Sequence, residues 1–100
     1  MSAVEAIALR HLREPITLAD LSAACGLSRR DMESLIQRLR LRGEPVIDAG
    51  RDGLVLTDDA EALDRYVQAR RNRARTILAA SRPLRVTVAR LRQRDLVLGL

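Results

Sequence analysis

Apolar residues recur along this chain at helical spacing in three short bursts, then in two β-prone runs, and finally in a long, diffuse stripe. Val4, Ile7, Ala8 and Leu12 fall on one side of a helix, which predicts a first helix over residues 2–13, ended by Pro15. Leu18, Leu21 and Cys25 share one face of a second helix, and Met32, Leu35, Ile36 and Leu39 share one face of a third, with Leu27 placed as a plug between them. Val46-Ile47 and Leu54-Val55-Leu56 flank the turn sequence Gly50-Arg51-Asp52-Gly53, so a two-stranded hairpin is expected over 46–56, with Ile16 able to add a minimal third strand. Further on, Leu63, Val67, Ala74 and Ile77 follow three-four spacing, interrupted by Arg70, and predict a long helix over 58–80. Pro83 suits the first turn of a new helix, in which Leu84, Val88, Leu91 and Leu98 continue the spacing with Asp95 in the seam. The expected fold is mainly α with a small β-hairpin (α+β), closed by a long basic carboxy-terminal helix or by a helical hairpin or extended helix pair.

Local chemistry sharpens the boundary between the second and third helices. Thr17 followed by Asp20, and Ser28 followed by Asp31, have the layout of capping boxes that start helices at Leu18 and Arg29. Gly26 can take the left-handed conformation that closes one helix and turns the chain sharply, and Gly43 supplies the next stop. Two helices separated by about three residues have the connection length of a helix-turn-helix. With the apolar faces packed, Ser28, Arg29, Arg30, Glu33, Ser34, Gln37 and Arg38 are left on the outer side. Arginine can bond guanine edges and glutamine adenine edges, so this set suits reading double-stranded DNA from a helix over 29–42. A merely solvated charged face is the simpler use of such residues, and the tight turn ahead of them is what favours DNA.

The stretch LADLSAACGLSRRDMESLIQRLRLRGEPVIDAGRDGLVL resembles the winged helix-turn-helix domain of the biotin-repressor type. The matching features are Gly26 in the turn, Ser28-Arg29, Ile36-Gln37, Leu39-Arg40 and Gly43, followed by the short hairpin, and the likeness covers about residues 5–57. Ser22 departs from it, standing where the family has a small apolar residue. The resemblance implies a recognition helix in the major groove, with base reading by Arg29, Arg30, Ser34 and Gln37. It also implies a wing whose Arg51 meets the flanking backbone; as a turn residue, Arg51 could equally be solvated. Fold likeness of this kind leaves the biological process open.

Charge separates the chain into parts. Residues 1–56 hold eight arginines and eight acids, residues 57–64 add four acids, and residues 65–100 hold ten arginines against Asp95 alone, so the formal net charge of +5 belongs to the carboxy-terminal part. Thr57 is placed to cap a helix whose first turn carries Asp58, Asp59 and Glu61, favourable near the positive end of the helix dipole. The cluster Arg65, Arg70, Arg71, Arg73 and Arg75 has few nearby acids and could neutralise phosphates, with Arg71 and Arg73 the residues taken as contacts. The expected organisation is a DNA-binding domain over 1–57 and a basic helical extension over 58–100 that dimerises, touches the DNA backbone, or both.

Composition narrows the remaining classes. Tyr66 is the sole aromatic residue, so the core is aliphatic and base stacking on single strands is disfavoured. Cys25 is the sole cysteine and His11 the sole histidine, with no acidic pair at ligand spacing, so neither a cofactor nor a metal is expected. No glycine-rich phosphate loop and no nucleophile with a plausible base stand out, and an enzyme is not expected. Neither a membrane span nor a signal peptide is legible, which leads to the expectation of a cytoplasmic protein. The absence of lysine fits a high-GC coding sequence. The reading reached is a homodimeric, sequence-specific regulator of transcription on double-stranded DNA, with no small-molecule ligand evident. Two alternatives stay open: a protein-interaction winged-helix module, favoured by the neutral charge of residues 1–56, and a phage-like accessory protein of replication or recombination. Arg29, Arg30, Arg38 and Arg40 on one helix weigh against the former.

Overall fold

The computed structural model describes residues 1–99, and the chain divides into two compact units, Met1–Tyr66 and Val67–Leu100. Its elements are α1 (Ala3–His11), α2 (Leu18–Cys25), α3 (Arg29–Leu41), β1 (Val46–Asp48), a short 3-10 turn (Gly50–Asp52), β2 (Leu54–Leu56) and α4 (Ala60–Leu98). The protein is therefore mainly helical with one small antiparallel sheet.

Ser2, Thr17 and Ser28 cap the first three helices, each hydroxyl accepting from the amide three residues on. Gly26, at φ 66°, ends α2, with the Leu27 amide donating to the Ser22 carbonyl at 3.0 Å. Gly43, at φ 90°, ends α3 in the same way, with the Glu44 amide donating to Leu39. Both are the paired backbone bonds of a glycine-terminated helix.

The core consists of Ala8, Leu12, Leu21, Met32, Leu35, Ile36, Leu39 and Val46, with Leu27, Leu54 and Leu56 packed against it. Ser22 is buried as well, and its hydroxyl donates to the Leu18 carbonyl at 2.7 Å, so a polar residue sits inside without an unmet bond. On α1, Ala8 and Leu12 are buried and Val4 packs against the core as expected, whereas Ile7 is 38% exposed and Glu5 is buried. Across the fold Arg42, at the end of α3, forms an ion pair with Glu5 and so gives the buried carboxylate its partner.

In the hairpin, Val46 pairs with Leu56, Ile47 with Val55 and Asp48 with Leu54. Ile16 forms the expected third-strand bridge, exchanging two backbone bonds with Leu54 at 2.8 and 2.9 Å. Gly53 lies at φ 98° against the Ile16 carbonyl, and any Cβ there would collide with that backbone.

Helix α4 corrects two expectations. It begins at Ala60 rather than residue 58, and its cap is Asp59, whose carboxylate accepts from the Glu61 and Ala62 amides at 3.0 and 3.3 Å; Thr57 instead accepts from Asp59. It also runs unbroken through Pro83 to Leu98, so the expected break at Pro83 is absent and, of the expected endings, the single long helix forms rather than a helical hairpin. An interior proline costs about 3 kcal/mol. A break would expose two sets of orphan backbone groups, and no glycine stands nearby to close the first half. Ser81, the one available cap, donates its hydroxyl to the Ile77 carbonyl at 2.9 Å.

Candidate nucleic-acid interface

Helix α3 is positioned by its buried stripe, which holds Met32, Leu35, Ile36 and Leu39 against α1 and α2. That packing dictates what faces out. Ser28, Arg29, Arg30, Glu33, Ser34, Gln37 and Arg38 are all exposed. Helical spacing puts Arg30, Ser34 and Gln37 along one ridge opposite the core. Leu41 continues the ridge and is 82% exposed, a residue that the sequence reading left out although the same spacing includes it.

The flanks of the ridge differ. On one side Arg29 pairs with Glu33 at 3.5 Å, both well exposed, a contact of small and salt-sensitive energy that yields readily to a stronger partner. On the other side, Ser34 and Arg38 border a shallow depression of about 310 Å³ whose far wall is Ser2 and Val4 at the start of α1. Arg51 is exposed in the turn of the hairpin, and the Asp48 carboxylate accepts from the Gly50 amide at 2.9 Å to shape that turn.

Two arginines of this region do other work. Arg40, counted in the sequence reading among the arginines that favour DNA, donates through Nε to the Val46 carbonyl at 2.9 Å and lies 5.4 Å from the centre of the Tyr66 ring. It fastens α3 to the hairpin and to the start of α4 by a hydrogen bond and a cation–π contact. Arg42 is engaged with Glu5. Of the arginines between 29 and 42, Arg29, Arg30 and Arg38 are the ones on the outer face.

In the second unit Arg71 and Arg73 are exposed on α4, as are Arg75, Arg82, Arg85, Arg90 and Arg92. Arg94 pairs with its neighbour Asp95 at 3.2 Å.

Among the described residues no cluster of three or more histidine, cysteine or acidic side chains could hold a metal ion. Cys25 is half-buried beside the core, and burial pushes its thiol above the ordinary value, away from thiolate reactivity. No described helix is long and apolar enough to cross a membrane. Comparison with known proteins returned nothing: no family model, no curated protein and no solved structure matches this chain significantly.

Proposed function

We propose that this protein is a winged helix-turn-helix regulator that binds double-stranded DNA as a homodimer. The observation that carries the reading is the outer ridge of α3. A capped, glycine-turned helix is clamped on one side by the core and presents Arg30, Ser34 and Gln37 in line on the other. Placed in a major groove, that ridge offers donors and acceptors to base edges, and Leu41 offers apolar contact to a thymine methyl. Arg29 and Arg38, with the Ser28 end of the helix, flank it at the level of the phosphates, and Arg51 extends the contact from the hairpin turn as a wing. Arg71 and Arg73 add sequence-independent affinity for the backbone.

The domain itself is close to neutral, which favours a second reading as a protein-docking winged helix. The two separate in one experiment, selection of bound fragments from a random duplex library near physiological salt. A recovered motif supports specific DNA reading, and paired half-sites support the dimer. Retention without a motif transfers the function to backbone-driven binding through α4. No retention overturns the proposal in favour of protein docking.

A further inference from the structure

Because α4 is continuous, the two apolar stripes on either side of Pro83 join into a single seam with strict four-three spacing. From Val67 its members are Val67, Arg70, Ala74, Ile77, Ser81, Leu84, Val88, Leu91, Asp95 and Leu98. That is the heptad pattern of a coiled coil sustained over more than four heptads. Helix α4 has no buried residue, and Ile77, Leu84 and Leu98 are 59%, 64% and 62% exposed. A long helix is ordinarily held by packing of such a stripe. Ser81 does not spoil the seam, since its hydroxyl is already spent on the Ile77 carbonyl.

We infer that the seam is filled by a second copy of the same helix running antiparallel, in the register that sets Arg70 against Asp95 of the other copy. Deepening the homodimer of the preceding section, this rests on that part of the proposed function and is independent of what α3 reads. In this register Val67 meets Leu98, Ala74 meets Leu91, Ile77 meets Val88, and Ser81 meets Leu84, each twice by symmetry. The two charged seam residues fall opposite each other, Asp95 giving up or sharing its exposed, weak contact with Arg94, and every other layer is closed by at least one branched aliphatic side chain. A parallel dimer with the same seam would stack Arg70 on Arg70 and Asp95 on Asp95, like charges at its least hydrated positions. The antiparallel form does bring Arg71 near Arg92, and Arg73 near Arg94. Those pairs lie at the exposed margin, where salt and bound anions screen them, so the seam decides the orientation. The two Val67 residues, each joined directly to an amino-terminal unit, then stand about 46 Å apart along the seam.

The test uses the full chain without DNA. Sedimentation equilibrium measures the association constant, and spin labels on Gln68→Cys in a Cys25→Ala background measure the distance between copies. Gln68 is exposed and lies on the outer side of the helix, away from the seam. The antiparallel register predicts a backbone separation of about 44 Å at this position from the helical rise, against less than about 20 Å for parallel helices. Arg70→Asp is expected to weaken the dimer roughly tenfold or more, and adding Asp95→Arg to restore it to within about threefold, because the pair is rebuilt with reversed sign. A short label distance, or a charge reversal that rescues nothing, overturns the register and leaves the dimer standing. A monomer at all concentrations overturns both, and failure of the duplex selection bears on neither.

Discussion

Replacing Arg42 by alanine removes the guanidinium that faces Glu5, and the cost can be worked from the burial of the two partners. The Glu5 residue is 4% exposed and holds its carboxylate against Arg42 through two nitrogens, whereas the Arg42 side chain is 45% exposed. Breaking a fully buried ion pair costs about 3–5 kcal/mol, because the surviving charge has neither water nor partner. With one partner nearly half in solvent, the expected loss is closer to about 2 kcal/mol. A unit of 66 residues is worth roughly 3–10 kcal/mol in total, so this is a substantial fraction. At about 4–8 °C per kcal/mol the midpoint of unfolding should fall by roughly 8–16 °C. Tyr66, the sole aromatic residue and a neighbour of Arg40, offers an emission signal from this unit alone, separate from the helical signal of α4. The control is Arg38→Ala on the exposed face, expected within about 0.5 kcal/mol of the parent. Replacing Glu5 and Arg42 together by leucine should recover much of the loss, since no charge is then stranded. Equal stability of the Arg42 and Arg38 variants would refute the assignment of Arg42 as a structural residue.

Alanine at Gln37 or Arg30 should leave folding intact and lower discrimination between duplex sequences by about 1–3 kcal/mol for a bidentate base contact; unchanged preference in competition binding removes that residue from the reading set. Replacing Arg71 and Arg73 together should weaken binding to all duplexes alike and reduce the slope of log affinity against log salt by nearly two, and an unmoved slope would separate α4 from DNA. Gly53→Ala should lose about 1–3 kcal/mol from its positive φ, and more from the collision with the Ile16 carbonyl, read as a lowered unfolding midpoint. Pro83→Ala should raise the thermal stability of α4 by up to about 3 kcal/mol with little gain in helical circular dichroism, as the helix is already continuous; a large gain in signal would mean that the proline interrupts it.

Much of the local architecture was legible because its causes are local. Thr17, Ser28, Gly26 and Gly43 start and stop helices through bonds to their own neighbours, and the three-four spacing of Met32, Leu35, Ile36 and Leu39 says which side of α3 is buried whatever it packs against. The outer ridge of Arg30, Ser34 and Gln37 follows from that side by subtraction. Leu41 belongs to the same ridge by the same spacing and is exposed there.

Tertiary structure decided the fates of residues that are chemically alike in the sequence. Arg38, Arg40 and Arg42 alternate along one helix, yet the first faces solvent, the second holds Val46 and Tyr66, and the third holds Glu5. No spacing rule predicts this, since the deciding partners lie on other elements. Glu5 likewise finds its partner on a distant segment, in Arg42. Pro83 was read as a helix start from its own stereochemistry, which describes one residue, whereas the helix is decided by the summed propensity and bonding of the turns on both sides. Local signals set where helices begin, end and turn their apolar sides, because those energies act between near neighbours. The assignment of each charged side chain to solvent or to a partner rests on contacts between distant segments, and only the folded chain provides them.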